Sequence, residues 1–350
     1  MISIIGAGPV GNYLACCLAK EGFEVEVYEE HDEIGVPIQC TGILTSSIKK
    51  IIDISDEFVV NTINRIRIFS PNNNFVEINL KDCDYIVDRI KFDNYFSFKA
   101  KGLGVKYNLG WKFLGFENGL MKFNKGVRKT NILIGADGCN SKVAKVCGFG
   151  KRKIMFGLQA LVKLDHDLDL VDTFLIEKGF GWVVPEGNGV CRVGLVSSDP
   201  AKNNLKSFLS KFGGFVLGYQ SGPIPIYDRS FKTSKGNVYL VGDAAGMVKQ
   251  TTYGGIVQGM MAAEELVKSL KTGKSYDKLW RKRIGRELFF GKMIRKKLDR
   301  FSSVDLDKLV GLVSRDKVKN VLCSVDRDHP SGILFKLMFK ELRFLKYLFK

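Results

Sequence analysis

The spacing of apolar and polar residues predicts three kinds of region along the chain. Apolar runs that end in glycine-rich turns and lead into amphipathic helices are typical of a Rossmann-like α/β domain. Runs that alternate with period two predict a second, antiparallel β-sheet domain. A third region has helical periodicity. The predicted boundaries are residues 1–58, 84–150 and 231–270 for the discontinuous Rossmann-like domain, 59–83 and 151–230 for the β-sheet domain, and 271–350 for the C-terminal helical segment.

Several individual elements follow from the same pattern. Pro71 and the three asparagines after it separate two alternating runs, which predicts a β-hairpin. Residues 35–44 read as a loop leading into a helix, and a further helix is expected near 202–212. The fold class is therefore α/β, with a discontinuous nucleotide-binding domain interrupted by a β-sheet domain.

The first apolar run leads directly into a dinucleotide-binding turn. Gly6 permits the tight turn, Gly8 lets the backbone approach a diphosphate, and Gly11 lets the following helix (9–21) pack on the strand. Glu29 ends the second strand, 18 residues past Gly11, where a carboxylate accepts hydrogen bonds from a ribose diol. This combination predicts a bound dinucleotide, at the N-terminus of the first helix.

Two further turns repeat this arrangement of an apolar strand and a small acidic loop. Residues 135–138 carry Asp137, and residues 242–246 carry Asp243, which can accept from a ribityl hydroxyl. Arg89, with Asp93 one helical turn later, can hold the flavin side of a nucleotide, although a surface charge at a strand end is the alternative. A protein that binds only NAD needs none of these groups.

Composition excludes several classes. Eight cysteines without a CxxC pair and only three histidines indicate no metal site and a reducing cytoplasm. We expect no signal peptide, and no apolar run is long enough to span a membrane. The net charge of +17 is concentrated at residues 268–350, which carry 23 Lys and Arg against nine Asp and Glu. A basic C-terminal segment favours an anionic surface as partner.

The four motifs together resemble the FAD-binding framework of the p-hydroxybenzoate-hydroxylase-type flavoproteins. Within that group, residues 35–44 (GVPIQCTGIL) resemble the PxxCxG segment of the geranylgeranyl reductase family. Residues 179–187 resemble its YxWxFP-type segment, and residues 249–265 also match. The resemblance implies FAD as cofactor and reduction of isoprenoid C=C bonds in archaeal membrane lipids. The implied cofactor-binding residues are Gly6, Gly8, Pro9, Gly11, Glu29, Cys40, Gly42, Arg89, Asp137, Gly138, Gly242, Asp243, Gly246, Gly254, Gly255 and Ile256.

The resemblance also implies residues for the reaction. Cys40 would lie near the flavin as a proton donor or pocket residue, although a free cysteine is commonly a small buried hydrophobe. Phe180 and Trp182 would form an aromatic wall for a lipid chain, with core packing as the alternative. Tyr253 would line the pocket in place of a family glycine. Glu177 and Val184 depart from the family's proline and phenylalanine, and Phe180 lacks the tyrosine hydroxyl.

The last 18 residues form a basic, amphipathic pattern. At ~100° per residue, their cations fall within an arc of about 120°, as in helices that lie in a membrane interface. A helix docked on the body is one alternative, and nucleic acid, which we do not expect as a partner, is another. The cations are Lys336, Lys340, Arg343, Lys346 and Lys350.

The predicted function is an FAD-dependent reductase of isoprenoid lipids, located in the cytoplasm at the inner face of the membrane. Its electrons would come from an external donor such as NADPH or a ferredoxin, because no nicotinamide domain is visible. A flavin monooxygenase of an aromatic or apolar molecule is one alternative. An electron-transfer flavoprotein at the membrane surface is another. The oligomeric state does not follow from the sequence.

Overall fold

The computed structural model describes residues 1–200, 202, 204–341 and 343–344. Its strands are β1 (Ile2–Ile5), β2 (Val25–Tyr28), β3 (Ile43–Leu44), β4 (Val59–Phe69), β5 (Phe75–Val87), β6 (Lys106–Asn108), β7 (Phe113–Glu117), β8 (Leu120–Phe123), β9 (Gly126–Lys129), β10 (Ile132–Gly135), β11 (Ile154–Lys163), β12 (Leu170–Ile176), β13 (Gly179–Gly187), β14 (Val190–Ser197), β15 (Phe215–Pro225), β16 (Ser234–Lys235) and β17 (Val238–Leu240). Its α-helices are α1 (Pro9–Lys20), α2 (Arg89–Gly102), α3 (Lys142–Val146), α4 (Leu205–Leu209), α5 (Ile256–Thr272), α6 (Tyr276–Trp280), α7 (Arg286–Leu298), α8 (Ser303–Val313), α9 (Asp316–Cys323) and α10 (Pro330–Lys340).

The chain divides into two compact units. The first unit comprises Met1–Ile38, Asp88–Ile154 and Ile224–Phe289. The second unit comprises Gln39–Val87, Met155–Pro223 and Phe290–Lys350. Both units are discontinuous, so each is assembled from segments that lie far apart in the sequence.

The first unit is built on a six-stranded sheet of order β16-β17-β10-β1-β2-β6. Its strands run parallel except for the edge pair of β16 and β17. The central strand β1 is buried at all four residues, because helices cover both faces of a parallel sheet. Strands β7, β8 and β9 form a separate antiparallel sheet. The predicted Rossmann-like fold is confirmed.

The second unit is built on an eight-stranded sheet of order β15-β11-β14-β13-β12-β4-β5-β3. The predicted hairpin is confirmed, because β4 and β5 pair antiparallel around Asn73, whose φ of 62° lies in the left-handed region. One face carries an apolar cluster with α4 at Phe208. A second cluster around Ile63 and Val184 packs against Trp182.

Some predicted elements differ from the structure. Strands β4 and β12 pair in parallel, whereas the sequence predicted an antiparallel sheet. Parallel strands need a long connection, and many residues separate these two strands. The helix expected near 202–212 is limited to α4. The segment at 35–44 leads into β3 and only a short 3₁₀ turn, Ser46–Lys50.

Several stretches fall in other units than the sequence indicates. Residues 84–87 and 290–350 lie in the second unit, and residues 151–154 and 224–230 lie in the first. Residues 39–58 lie in the second unit, where β3 pairs with β5. Residues 271–289 lie in the first unit, where Tyr276 donates a hydrogen bond to the Leu240 carbonyl and Trp280 donates one to Thr233. Contacts between residues far apart in the sequence determine both of these assignments. The local spacing of apolar residues gives no signal for such contacts.

The C-terminal helix ends earlier than the basic pattern predicts. Helix α10 stops at Lys340, where Glu341 takes an extended backbone conformation. The buried Glu341 carboxylate attracts the surrounding cations, with its oxygens 3.2 Å from Lys317 Nζ and 2.7 Å from Arg343 Nε. Arg343 therefore lies outside the helix, whereas Lys346 and Lys350 lie outside the described residues.

Candidate active site

The glycine turn after β1 has the geometry that a dinucleotide requires. A Cβ atom at Gly6 would lie 2.5 Å from the Ala136 carbonyl oxygen, and one at Gly11 would lie 2.1 Å from the Gly6 carbonyl oxygen. Gly8 has no heavy atom within 4 Å of its Cβ position. Two glycines therefore close the turn, and the third leaves the backbone open to a ligand. Pro9 is at the first helical position of α1, and no side chain caps this helix.

Glu29 ties the end of β2 to this turn. Its Oε2 accepts a hydrogen bond of 2.8 Å from the Ala7 amide. Its Oε1 lies 2.7 Å from His31 Nδ1. A carboxylate has about four lone-pair sites, so Glu29 in this position can also accept from a ribose diol. Sequence reasoning did not single out His31, because an exposed histidine two residues past a strand carries no motif.

Asp137, after β10, is engaged within the chain. Its Oδ1 accepts a 2.6 Å hydrogen bond from the Ser141 hydroxyl, and its Oδ2 accepts from the Val143 amide at 3.0 Å. These bonds cap the first turn of α3. Gly138 follows with a φ of 72° and has open space at its Cβ position. Asp137 thus shapes the loop, and Gly138 leaves its backbone accessible.

Asp243 has a different environment, although it lies in a similar turn. It belongs to the short turn Gly242–Ala245 after β17, which Gly246 ends with a φ of 72°. A Cβ atom at Gly255 would lie 2.8 Å from Asp243 Oδ1, so the glycine lets the start of α5 pass the carboxylate. Burial raises the pKa of Asp243, and nearby Arg89 and Arg152 oppose that shift. No described residue donates a hydrogen bond to its side chain.

Helix α5 begins beside this carboxylate. Gly255 is its N-cap residue, Ile256 is its first residue, and no side chain caps it. Uncapped helix N-termini bind anions because their first amides have no partner within the helix. The first unit therefore presents two such termini, those of α1 and α5.

Arg89 is fixed at the start of α2. Its Nη2 donates a 2.9 Å hydrogen bond to Asp93 Oδ2, and its side chain is only 13% exposed. Burial raises the pKa of Asp93, and the Arg89 charge opposes the shift. Arg89 is therefore not a solvated surface charge.

Tyr253 lies in the loop between the Asp243 turn and α5. Its amide donates to the Lys249 carbonyl at 2.8 Å, and the Lys249 amide donates to the Gly254 carbonyl at 3.0 Å. Tyr253 has a φ of 56°, in the left-handed region that favours glycine. The loop therefore keeps a glycine-type conformation where this chain has a bulky ring.

Cys40 and Gly42 lie in the second unit. The Gly42 amide donates to Cys40 Sγ at 3.3 Å, and a Cβ atom at Gly42 would lie 2.6 Å from the Val87 carbonyl oxygen. Arg192 Nη1 donates a 2.9 Å hydrogen bond to the Cys40 carbonyl. Thr41 adds a 2.9 Å bond to Gln159. Cys40 is half-buried, and its carbonyl oxygen and its Sγ atom each accept a hydrogen bond.

Phe180 and Trp182 lie on one face of β13, with ring centroids 5.8 Å apart. Trp182 pairs with Gly194 of β14, and a Cβ atom there would lie 2.5 Å from Trp182 Cζ2. The glycine thus allows the indole to lie across the neighbouring strand. Trp182 Nε1 is buried without a hydrogen-bond partner. This donor has no partner within its own unit.

The sequence did not predict a polar cluster that lies beside this aromatic pair. The buried Arg192 pairs with Glu186 and donates a 3.1 Å hydrogen bond to Gln220. Gln220 Oε1 also accepts from Gln159 at 2.8 Å. The one sequence signal was a lone arginine within the apolar run of β14. Such a residue is usually paired when buried.

The donor set of the first unit fits a dinucleotide. Two uncapped helix termini and an open glycine suit a diphosphate, and the Glu29 and Asp243 carboxylates suit hydroxyl groups. Across the described ranges, His, Cys, Asp and Glu form no group that could hold a metal ion. The fold and this site are typical of an oxidoreductase that binds a dinucleotide in a Rossmann-like unit and has a second unit built on a β-sheet.

Comparisons with known proteins agree with this class. The sequence profile of the NAD(P)-binding Rossmann-like domain matches residues 4–41. The crystal structure of a geranylgeranyl bacteriochlorophyll reductase-like protein from Thermoplasma acidophilum is 25% identical, with a TM-score of 0.86 over 99% of this chain and 98% of that one. The flavin-dependent brominase Bmp2 has a TM-score of 0.74 at 16% identity and shares the fold.

Two relatives carry the same name. The digeranylgeranylglycerophospholipid reductase of Methanocaldococcus jannaschii is 28% identical, and the alignment covers 88% of this chain and 89% of that protein. The protein of that name from Methanosarcina acetivorans is 26% identical over 100% of this chain and 96% of its own length. The predicted resemblance to the geranylgeranyl reductase family is confirmed, and the comparisons support an oxidoreductase with a flavin-type cofactor.

Proposed function

We propose that this protein is an FAD-dependent reductase that saturates C=C bonds in the isoprenoid chains of membrane lipids or their precursors. The observation that supports a bound cofactor is the Asp243 carboxylate, which receives no hydrogen bond from a described residue and lies beside the uncapped start of α5. Like the glycine turn, it lies at the edge of the sheet that the carboxyl ends of the parallel strands form. Ligands of parallel sheets bind at that edge. The similarity to named reductases over nearly the whole chain supports the reaction class.

The residues of the first unit have separate roles in holding FAD. The amides of the Gly6–Gly11 turn and of α5 bind the diphosphate, Glu29 binds the ribose diol, and Asp243 accepts from the ribityl chain. Arg89 is held by Asp93 in a fixed orientation and contributes positive charge on this side of the sheet. When bound and reduced, FAD supplies the hydride for the reaction.

The residues of the second unit would bind and orient an apolar chain. An isolated C=C bond offers little polarity, so catalysis depends on position and on exclusion of water. Phe180 and Trp182 provide an aromatic wall, and Gly194 permits the position of the indole. Cys40 is proposed as the proton donor to the second carbon, with Arg192 fixing its backbone.

The direct test supplies purified protein with FAD, reduces it anaerobically and adds an unsaturated archaeal-type lipid. Mass spectrometry should find a gain of two hydrogen atoms for each reduced bond. Protein that remains colourless after FAD is supplied would contradict the cofactor. An unchanged lipid, together with oxygen-dependent hydroxylation of an added aromatic, would favour a flavin monooxygenase instead.

We further propose that the C-terminal segment binds an anionic membrane surface. On α10, Phe335 and Phe339 are 64% and 73% exposed, and their ring centroids lie 4.7 Å apart. Lys336 and Lys340 are exposed beside them. An apolar pair flanked by cations is suited to the boundary between headgroups and acyl chains. Among the described helices, none is both long and apolar enough to span a bilayer.

Co-sedimentation with vesicles tests this association. Deletion of residues 333–350 should abolish sedimentation with vesicles rich in anionic phospholipid, and a double Phe335→Ser, Phe339→Ser variant should weaken it. Phe98→Ser is the matched control, because Phe98 is 80% exposed on α2 in the first unit. Unchanged sedimentation of the truncated protein, or an equal effect of Phe98→Ser, would reject the membrane proposal.

A further inference from the structure

Arg152 is a half-buried cation, and two of its N–H donors lack the hydrogen bonds that they need. Its Nε and Nη1 atoms are enclosed, yet neither has a hydrogen-bond partner. Leaving a buried charged donor unpaired is costly, so such groups are normally paired or bind a ligand. Neither the sequence motifs nor the resemblance pointed to Arg152, which stands in a short basic stretch between α3 and β11.

The surroundings of Arg152 hold its guanidinium in one place. The guanidinium carbon lies 4.3 Å from the centroid of the Phe231 ring. A Cβ atom at Gly246 would lie 3.3 Å from Arg152 Cδ, so the left-handed glycine gives the side chain its path. Stacking on an aromatic face fixes the plane of the guanidinium and therefore the directions of its N–H donors.

The position of Arg152 is at the ligand-binding edge of the sheet. Its side chain passes Gly246, which ends the turn after β17. Its charge also opposes the rise in the pKa values of Cys139, which follows β10, and of Asp243, which follows β17. These two strands run parallel, so their carboxyl ends lie together at the edge where dinucleotides bind. Burial lowers the pKa of Arg152, and these acidic neighbours only oppose the shift.

We propose that Arg152 binds a phosphate oxygen of the dinucleotide cofactor. The inference rests on the proposed FAD site, where the diphosphate is the anion that the cofactor brings. A phosphate oxygen accepts a charge-assisted hydrogen bond from a guanidinium N–H group, and a bound diphosphate would supply an acceptor to at least one of the two unpartnered donors. Arg152 is therefore a cofactor-binding residue, and Phe231 and Gly246 are its positioning residues.

The test compares FAD binding by the full-length wild-type protein and by Arg152→Met and Arg152→Lys variants, without lipid. Loss of a charge-assisted hydrogen bond should weaken FAD binding by roughly 10- to 100-fold in Arg152→Met, and by less in Arg152→Lys. A ³¹P resonance of the bound diphosphate should shift in both variants. Arg128→Met is the matched control, because Arg128 also stacks on an aromatic ring, 4.5 Å from Trp111, on an exposed strand.

Thermal unfolding of the FAD-free protein separates binding from a structural role. Because two donors of the half-buried cation lack partners, Arg152→Met should unfold at the wild-type temperature or above it, while the temperature increase on adding FAD becomes smaller. If Arg152→Met does not fold, Arg152→Lys carries the same comparison.

Three results would overturn the inference. The first is an FAD affinity within twofold of wild type and an unshifted ³¹P spectrum. The second is a lower unfolding temperature without FAD and an unchanged affinity. The third is unchanged FAD affinity with a raised KM for a phospholipid, which would assign Arg152 to the lipid phosphate. Wild-type protein that does not bind FAD would instead reject the proposed cofactor.

Discussion

The candidate functional residues of the two units lie in different parts of the secondary structure. In the first unit, most candidate cofactor residues stand near the end of a strand or the start of a helix, and a Cβ atom would have no room at Gly6, Gly11 and Gly255. In the second unit, Cys40 and Gly42 precede β3, but the other candidate residues stand within strands on one sheet face, where Trp182 lies across Gly194 and Arg192 reaches Gln220.

This difference has a functional meaning. A site made from strand ends depends mainly on backbone geometry, so its loss should abolish cofactor binding. A site made from a sheet face depends on side-chain packing, so its residues can change with the substrate while the fold persists. The predictions below test whether cofactor binding and lipid turnover separate along this boundary.

The largest effect is expected in the glycine turn. Gly11→Ala would place Cβ 2.1 Å from a backbone oxygen, so we expect a loss of about 3 kcal/mol or more in the free energy of unfolding, with no FAD binding. Gly8→Ala is the matched control, since its Cβ position is open. It should keep wild-type stability by urea unfolding and lose FAD affinity. Equal stability of both variants would contradict the assigned roles.

The two turn aspartates should also separate. Asp243→Asn should weaken FAD binding about 10-fold or more, because a charge-assisted acceptor is lost, and leave stability unchanged. Asp137→Asn should instead cost about 1 kcal/mol of stability through the α3 cap and retain FAD. Fluorescence titration and chemical unfolding measure the two effects. A reversed pattern would show that Asp137, not Asp243, binds the cofactor.

A smaller and more selective effect is expected at Gly194. Gly194→Ala would place Cβ 2.5 Å from the Trp182 ring and displace the indole. We expect lipid turnover to fall about 10-fold, since misplacement of this size disrupts substrate orientation. The FAD dissociation constant should not change. If cofactor affinity falls as much as turnover, the two units do not divide the work as proposed.

The smallest effect concerns a pH-dependent pair in the second unit. Burial lowers the pKa of His166, but the 3.1 Å bond to Asp172, the bond to the Asp167 carbonyl and the Asp172 charge together outweigh burial and raise the pKa overall. The raised pKa stabilises the fold below the ordinary histidine value of about 6.5, and this contribution is lost as pH rises through the folded-state pKa. His166→Asn should remove it, at a cost below about 1 kcal/mol.

Urea unfolding at about pH 6 and about pH 8.5 measures this effect. Wild type should lose stability relative to His166→Asn as pH rises. A constant difference between the two proteins would mean that His166 does not titrate differently on folding. FAD affinity should be the same in both, because the pair lies in the second unit.

The sequence predicted the first unit in more detail than the second. Gly6, Gly8 and Gly11 have the spacing of a dinucleotide-binding turn, and Glu29 and Asp243 closely follow their strands. Arg152 was missed because its role depends on Phe231 and Gly246, which lie 79 and 94 residues further along the chain.

In the second unit, the predicted strands are present, but their pairing was not predictable from local pattern. The parallel contact between β4 and β12 joins segments about 100 residues apart. Three neighbouring strands bring together Arg192, Gln159 and Gln220. The positions of these residues along the sequence do not predict that contact. Helix α10 ends at Lys340, where the Glu341 carboxylate forms ion pairs with Lys317 of α9 and with Arg343. The local sequence pattern does not predict these ion pairs.

The most direct measurement is anaerobic mixing of the reduced, FAD-supplied protein with an unsaturated archaeal-type lipid, followed by flavin absorbance. The account predicts reoxidation of the flavin in step with saturation of the lipid, slowed in Gly194→Ala and normal in Phe98→Ser. A flavin that stays reduced in the presence of lipid, and is reoxidised only when oxygen is admitted, would contradict it.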